Sequence, residues 1–367
     1  MKKILIIIGT RPNFIKVTQF KRVAEQYKNI EIKIAHTGQH YDAKMSDIFF
    51  KQFGLSPDYF MNIPQASPNT QMAEIMLRLE DIIKNKFTPD LIMVPGDVNS
   101  TFAAAVTANK MGIKIAHLES GLRSFDRTMP EEINRILTDE ITDYYFITEQ
   151  SGIDHLKEEK KHGESVFVGN TMIDTMVAFE NDIQASPIMN ELNLKKNKFV
   201  LMTIHRPALV DNKAEVNKLL SLIMHIAQNY KIVFPIHPRT VNNLKNFGLY
   251  EAFDKIDNLI LGEPMDYFSF QKLIANCSFI LTDSGGIQEE STFRQVPCLT
   301  LRPNTERPIT ITMGTNKLIE FDLDKIKSAV SSIENGTYKK GEIPPLWDGK
   351  ATERILAFID SDKMFYR

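Results

Sequence analysis

The sequence predicts an α/β protein made of two Rossmann-like, doubly wound domains that face a central cleft. Short apolar runs alternate with helical patterns in two series, and a weaker stretch at about residues 175–197 separates the series. Such alternation is typical of parallel sheets that carry helices on both faces. The 367 residues are also enough for about two domains of ordinary size. We place the first domain at 1–174, the second at 175–349 and a C-terminal helix, of unassigned packing, at 350–367.

The strands are predicted from apolar runs that end in polar or glycine-containing turns. In the first domain the runs are Ile4–Ile8, Ile30–Ala35, Leu91–Val94, Ile113–His117 and Tyr144–Thr148. The first run ends in a turn at Gly9, and Pro12 is expected to start one helix that continues to about Tyr27. In the second domain the strands are Phe199–Thr203, Ile232–Ile236, Leu259–Leu261, Phe279–Thr282 and Cys298–Leu301, with helices at Gln271–Ala275 and Gly286–Arg294.

Composition and charge exclude several classes of protein. The chain is 43% hydrophobic and carries 44 Lys and Arg against 46 Asp and Glu, which is typical of a globular domain and leaves no positive excess for binding nucleic acid. The only cysteines, Cys277 and Cys298, are too few for a disulfide framework and are expected to pack as small apolar residues. The first apolar run is too short for a signal sequence or a membrane span, so we expect a cytoplasmic protein with no membrane partner.

The common cofactor and hydrolase motifs are missing from the chain. It contains no GxGxxG, GxxxxGK[ST], HExxH or GxSxG pattern. The usual signals of dehydrogenases, P-loop NTPases, zincins and serine hydrolases are therefore absent. We expect neither a redox cofactor nor a metal, and any phosphorylated ligand must be held by other means.

Ligands of open α/β sheets bind outside the carboxyl ends of the strands, and these positions carry charged residues in the first domain. Arg11 and Lys16 follow the first strand near a helix start, which suits an anion. Asp97 and Glu119 follow two later strands, and Glu131 follows Pro130 at a helix start. Taken singly, Asp97 could cap a helix and Glu131 could stabilise a first turn. Three carboxylates in one crevice would push their pKa values apart and supply an acid and a base.

The second domain has a different set of polar residues at its strand ends. His205-Arg206 and His237-Pro238-Arg239 each follow a strand, where a histidine is more often structural than catalytic. Ser284-Gly285-Gly286 precedes a helix, so the backbone could approach a diphosphate closely. Glu290 within that helix could accept hydrogen bonds from ribose, and Arg307 adds a guanidinium. A sugar nucleotide fits both halves: carboxylates on one domain and diphosphate contacts on the other.

The ordered set of these motifs resembles the non-hydrolysing UDP-N-acetylglucosamine 2-epimerases, which share the architecture of B-type glycosyltransferases. The resemblance covers nearly the full length and rests on GTRPNFIK, TGQHYD, PGDVNST, HLESGLRS, MPEEINR, FVGNTMID, TIHR, PIHPR, TDSGGIQEE and TERP. It implies catalytic roles for Asp97, Glu119, Glu131 and His205. The substrate-binding residues that we associate with it are Arg11, Lys16, Arg135, His237, Phe270, Ser284, Gly285, Gly286, Glu290 and Arg307. Phe270 would pack by the uracil, although a core aromatic is an equally fair interpretation.

Three motifs depart from the family pattern. His205-Arg206 is followed by Pro207-Ala208-Leu209 where relatives often have HRREN or HRAEN, and Ile309 follows TERP where Glu is common. Some relatives have a regulatory substrate site with two glutamines near TGQH; here Gln39 is present and Asp42 takes the second place.

The resemblance implies reversible 2-epimerisation of UDP-N-acetylglucosamine to UDP-N-acetylmannosamine, by elimination of UDP to a 2-acetamidoglucal and re-addition. The alternatives are a hydrolysing 2-epimerase that releases N-acetylmannosamine, an epimerase of a modified UDP-2-acetamido sugar, and a UDP-sugar glycosyltransferase. A non-catalytic UDP-sugar sensor is disfavoured by the complete acid/base set. The resemblance also implies a homodimer, and a role in surface polysaccharide synthesis is the natural expectation.

Overall fold

The computed structural model describes residues 1–38 and 50–361 of the chain. It forms two compact units, one of Met1–Ala178 together with the chain from Pro345 onward, the other of Phe179–Pro344. The sequence-based divisions at 174/175 and 349/350 lie a few residues from these. Among the described residues, no helix is both long enough and apolar enough to cross a membrane.

The first unit is built around a seven-stranded parallel sheet in the order β3-β2-β1-β4-β5-β6-β7. Its strands are β1 (Lys2–Ile8), β2 (Ile30–His36), β3 (Tyr59–Phe60), β4 (Leu91–Pro95), β5 (Lys114–Leu118), β6 (Tyr144–Ile147) and β7 (Glu164–Phe167). Its helices before residue 179 are α1 (Arg11–Ile15), α2 (Phe20–Ala24), α3 (Pro68–Asn85), α4 (Asn99–Lys110), α5 (Pro130–Glu140), α6 (Gln150–Glu158) and α7 (Thr171–Ala178). The strand order reverses between β1 and β4, and ligands of such sheets bind at that point.

The second unit repeats the plan with six parallel strands in the order β10-β9-β8-β11-β12-β13. The strands are β8 (Phe199–Thr203), β9 (Lys231–Pro235), β10 (Leu259–Gly262), β11 (Phe279–Thr282), β12 (Cys298–Thr300) and β13 (Asn316–Leu318). The helices are α8 (Glu180–Ala185), α9 (Ile188–Glu191), α10 (Pro207–Val210), α11 (Lys213–Ile226), α12 (Pro238–Asn246), α13 (Tyr250–Asp254), α14 (Tyr267–Asn276), α15 (Gly285–Arg294), α16 (Ile309–Thr312) and α17 (Leu323–Glu334). Here the order reverses between β8 and β11. Two parallel α/β sheets confirm the predicted fold class.

The tail helix α18 (Ala351–Asp360) belongs to the first unit. Ile355, Leu356 and Ile359 on this helix are fully buried, and Trp347 just before it is 1% exposed. The Trp347 indole donates a hydrogen bond to the Thr148 carbonyl at 3.0 Å. The last elements of the chain therefore complete the core of the unit that contains the first ones.

The single helix predicted from Pro12 to about Tyr27 is wrong. The chain forms α1 and α2 with a turn at residues 16–19 between them. The Thr175 hydroxyl donates to the Ile15 carbonyl at 2.6 Å, so this carbonyl is occupied by a side chain instead of the next helical turn. The Thr175 and Thr18 hydroxyls also lie 2.5 Å apart, which holds the turn in place. Because the helix ends there, Lys16 lies at its C-terminus and is buried under the carboxyl ends of the strands.

Candidate active site

The first unit brings Lys16 and Glu119 together as a buried ion pair. The Lys16 Nζ and Glu119 Oε2 atoms are 2.5 Å apart, and the side chains are 6% and 4% exposed. Glu119 directly follows β5 and has a left-handed backbone, with φ at 66°. Gly96, after β4, leaves the necessary space, because a Cβ there would lie 3.2 Å from Lys16 Nζ. The pair therefore lies where β4 and β5 end.

Asp97 and Arg135 form a second ion pair at the same edge of the sheet. Arg135 Nε donates to Asp97 Oδ2 at 3.0 Å, and Asp97 is 25% exposed. The other side of this guanidinium contacts the carboxylate of Glu132. Glu132 also accepts the backbone N–H groups of Ser124 and Phe125, both at 2.9 Å. The buried Glu132 thus holds Arg135, and Arg135 orients the more accessible Asp97.

The two adjacent glutamates of α5 have different environments. Glu131 is exposed on the first turn, whereas Glu132 is 1% exposed. Within the described part of the chain, no hydrogen bond or ion pair joins Glu131 to Lys16, Asp97 or Glu119. Arg11 is half-buried at the start of α1. The convergence of Glu131 on the other two carboxylates therefore stays a prediction.

A buried chain of polar groups behind Glu119 was not singled out from the sequence. His117 is fully buried, with Nδ1 2.7 Å from Asp139 Oδ1 and Nε2 2.7 Å from the Gly96 carbonyl oxygen. Arg123 lies 2.7 Å from Asp139 Oδ2 and forms a forked pair with Glu159 at 2.7 and 2.8 Å. Burial pushes the pKa of Asp139 up, but His117 and Arg123 outweigh it, so the net pKa lies below the usual value.

In the second unit, Asp283 fixes the position of His205. Asp283 is fully buried after β11, and its Oδ2 accepts the backbone N–H groups of His205 and Arg206, both at 2.7 Å. Its Oδ1 lies 2.9 Å from His205 Nδ1, while the imidazole itself is 43% exposed. Burial raises the pKa of Asp283, but the hydrogen bonds and charge of His205 lower it further, to a net value below normal. His205 therefore presents Nε2 outward from a fixed ring.

His237 lies beside His205, with their ring centroids 5.9 Å apart. It is the N-cap of α12, where Nδ1 accepts the backbone N–H of Arg239 at 3.1 Å. Partial burial, followed by the nearby His205 and Arg239, lowers the pKa of His237. The Arg239 side chain pairs with Asp211.

The start of α15 combines an open helix terminus with a buried guanidinium. Ser284 is its N-cap, and the Ser284 hydroxyl does not cap the helix. A Cβ at Gly285 would lie 2.7 Å from Glu306 Oε1 and 3.0 Å from Arg307 Nη1, so glycine is required for this close approach. Arg307 Nε pairs with Glu289 Oε2 at 2.6 Å, and Nη1 pairs with Glu306. The first turn of the helix therefore has backbone N–H groups without an intrahelical acceptor, and a guanidinium is held beside it.

The other residues singled out from the sequence lie on the helices of the second unit or outside the described residues. Gly286 occupies the second position of α15 and is half-buried; Glu290 is 5% exposed on the same helix. Phe270, on α14, is partly buried and packs against an apolar cluster of the second unit. This packing agrees with the core-aromatic interpretation without testing a contact with uracil. Gln39 and Asp42 lie outside the described residues.

Comparison with known proteins shows which family this chain resembles over nearly its whole length. Residues 22–360 match the family described as UDP-N-acetylglucosamine 2-epimerase. A UDP-N-acetylglucosamine 2-epimerase from Methanocaldococcus jannaschii is 38% identical over 98% of this chain and 100% of its own length. A UDP-2,3-diacetamido-2,3-dideoxy-D-glucuronate 2-epimerase from Pseudomonas aeruginosa is 36% identical, over 97% of this chain and 99% of its own.

Solved structures give the same relationship. A crystal structure of the M. jannaschii UDP-GlcNAc 2-epimerase, in complex with UDP-GlcNAc and UDP, is similar to this chain with a TM-score of 0.88. The two are 37% identical, and the match covers 97% of this chain and 99% of that one. This chain therefore belongs to the UDP-N-acetylglucosamine 2-epimerase family.

Proposed function

We propose that the protein interconverts UDP-N-acetylglucosamine and UDP-N-acetylmannosamine without releasing free sugar. The observation that carries the proposal is the pair of carboxylates, Asp97 and Glu119, at the ends of neighbouring strands, each held by a cation. Family membership supplies the substrate class. The complex of the M. jannaschii relative with UDP-GlcNAc and UDP supports a UDP-sugar ligand.

The chemistry is difficult because no carbonyl group acidifies the proton at C2 of the sugar. In the proposed route, a base removes this proton as the C1–O bond to UDP breaks, which forms a C1=C2 double bond. UDP then adds back to C1 while an acid returns a proton to the opposite face of C2. The atoms balance without a redox cofactor, since elimination of UDP and its re-addition involve no net oxidation of the sugar.

The first unit would supply the proton transfers. Glu119 is rigid and nearly excluded from water, whereas Asp97 is more accessible, so their environments differ as an acid and a base require. Lys16 balances the negative charge of Glu119 at the strand ends. Glu131 is a third candidate. We assign proton removal and proton return to this group without dividing the two roles.

The second unit would stabilise the departing diphosphate. Negative charge grows on the phosphate oxygens as the C1–O bond breaks, and preorganised donors lower the energy of that state. The donors are the N–H groups at the start of α15, the Ser284 hydroxyl, the exposed nitrogen of His205 and Arg307. A ten-residue helix such as α15 adds its dipole to these donors.

Proton NMR of the protein with UDP-N-acetylglucosamine in D2O tests the proposal. We expect UDP-N-acetylmannosamine with deuterium at C2. Free N-acetylmannosamine with one UDP per sugar would instead assign the hydrolysing reaction. An unchanged spectrum would refute the substrate assignment.

The roles of the two carboxylates can be tested on the same reaction. We expect Asp97→Asn and Glu119→Gln each to lower turnover by about 100-fold or more, since a positioned acid or base contributes about 10²–10⁴. Asp90→Asn is the matched control, because Asp90 lies at the amino end of β4, where it accepts the Lys3 backbone N–H at 2.8 Å. Near wild-type turnover in both test variants would remove the carboxylates from the mechanism.

A modified sugar is the second candidate substrate. It is favoured by the P. aeruginosa relative, named for a 2,3-diacetamido glucuronate, which is 36% identical to this chain. The departures at Pro207–Leu209 and Ile309 lie in motifs of the second unit that we associate with substrate. The ratio of kcat/KM for the two UDP-sugars decides between them.

A further inference from the structure

We propose that Asp139 is a positioning residue that sets the geometry of both Glu119 and Asp97. The inference rests on the function proposed above, since it gives Asp139 a part in that site. Asp139 is fully buried, so it does not reach a substrate itself. It would act through the backbone on which the two carboxylates are mounted.

The first link runs to Glu119. The left-handed backbone of Glu119, with φ at 66°, is strained for a non-glycine residue and persists only where neighbours enforce it. Asp139 binds the residues two positions before and after: its Oδ1 lies 2.7 Å from His117 Nδ1, and its Oδ2 accepts the Gly121 N–H at 3.1 Å. One carboxylate thus holds both flanks of the strained residue.

The second link runs to Asp97 through His117. The His117 Nε2 atom lies 2.7 Å from the Gly96 carbonyl, which can only accept, so this nitrogen donates. The Asp139 carboxylate also accepts, so Nδ1 donates as well. Gly96 itself has φ at 69° and directly precedes Asp97. The ring therefore joins Asp139 to the turn that carries Asp97 through a hydrogen bond at each of its two nitrogens.

Asp139 has the rigidity that this role needs. Arg123 contacts its Oδ2 at 2.7 Å and is in turn held by the Glu159 fork. Gly121 packs so closely on the start of α6 that a Cβ there would lie 2.3 Å from the Gly152 carbonyl oxygen. A loop enclosed in this way has little room to relax into another conformation.

Asp139→Asn is the direct test, with Asp174→Asn as matched control. Asp174 is also a buried carboxylate of the first unit that accepts backbone N–H groups, from Ala351 and Thr352, but it holds α18 instead of the strand ends. We expect Asp139→Asn to lower kcat by about 100-fold, the cost of a displacement of about 1 Å, with the Kd for UDP unchanged. Asp174→Asn should lose stability and keep kcat.

A double-variant cycle separates positioning from general structural damage. If Asp139 acts in part through Glu119, adding Asp139→Asn to Glu119→Gln should lower kcat by clearly less than the roughly 100-fold loss expected in the wild type, because only the effect through Asp97 remains. Full additivity of the two losses would overturn the inference. If Asp139→Asn does not fold, His117→Gln tests the same bridge, because its amide can still donate to Gly96 but loses the Asp139 contact. An unchanged kcat in His117→Gln would then overturn the inference.

A spectroscopic readout keeps the inference separate from the proposed reaction. With 15N-labelled histidine, we expect two ring N–H signals from His117 in the wild type and the loss of one in Asp139→Asn. If the wild type binds UDP but does not epimerise, the proposed function fails while this signature still tests the bridge. The absence of an N–H signal from either ring nitrogen of His117 in the wild type would overturn the inference whatever the activity.

Discussion

Replacing Lys16 with methionine should destabilise the first unit strongly, because it removes the positive charge that faces the buried Glu119 carboxylate. The two charges are 2.5 Å apart and 6% and 4% exposed. At that distance, with an effective dielectric constant of about 20, their attraction is about 7 kcal/mol before desolvation is subtracted. Breaking a buried pair by removing one member costs about 3–5 kcal/mol, which is the expected loss.

The chain contains its own probe for this measurement. Trp347 is the only tryptophan, is 1% exposed and belongs to the first unit. Its fluorescence in urea therefore follows the unfolding of that unit, even if the second unit unfolds separately. With a slope of about 1–3 kcal/mol per molar urea, the expected loss moves the midpoint by more than about 1 M.

Lys114→Met is the control, since it removes a similar ion pair from the surface. Lys114 and Asp143 are 2.6 Å apart but 47% and 31% exposed, and such pairs contribute about 1 kcal/mol or less. The double variant Lys16→Met/Glu119→Gln should recover much of the loss, because neither charge remains. A midpoint shift in Lys16→Met no larger than that in Lys114→Met would refute the reasoning.

Two further predictions concern a glycine and a histidine. Gly285→Ala should weaken UDP binding by about tenfold, which corresponds to roughly 1.4 kcal/mol of binding free energy. The reason is that the new Cβ would lie 2.7 Å from the ion-paired Glu306 carboxylate and displace it. An unchanged Kd for UDP in calorimetry would contradict this. Burial lowers the pKa of His36 to about 4, and its Nδ1 accepts the Gly38 N–H at 2.8 Å, so the folded protein holds this ring neutral. Below pH about 6.5 the unfolded chain therefore binds more protons at this residue than the folded protein does. The free energy of unfolding of the first unit should fall by about 3 kcal/mol between pH about 6.5 and about 4. His36→Gln should remove that part of the pH dependence, measured by Trp347 fluorescence; an equal slope in both proteins would contradict the assignment.

The central strands could be predicted from the sequence, whereas three strands of the two units could not. β1, β4, β8 and β11 are continuous apolar runs because helices cover both of their faces. The missed strands β3, β7 and β13 lie at sheet edges and are two to four residues long, and β7 and β13 contain polar residues. A short strand at a sheet edge needs to bury little apolar surface. It is therefore too short to show the alternation of apolar and polar residues by which a strand is recognised in a sequence.

The candidate site was only partly predictable for a related reason. Charged residues after strands are visible in a sequence, and this located Lys16, Asp97 and Glu119. The partners of these residues come from distant segments: Asp139 contacts His117 across 22 positions, and Arg135 contacts Asp97 across 38. For Glu131 and Glu132, the orientation of the helix towards the core decides which carboxylate is buried. The sequence does not separate the two, because both positions suit the first turn of a helix. The break before Thr18 depends on Thr175, which no local pattern indicates.

The return of the chain to its first unit has a consequence for synthesis in the cell. The chain leaves this unit after Ala178 and rejoins it at Pro345, so the groove for Trp347 and α18 is built long before its occupant is translated. At about 5–20 residues per second, the ribosome needs about 10–30 s to cover that interval. During this time the apolar sites for Ile355, Leu356 and Ile359 face water on the nascent chain. The growing polypeptide therefore passes through a stage in which a chaperone, or the matching segment of another nascent chain, has a ready-made place to bind.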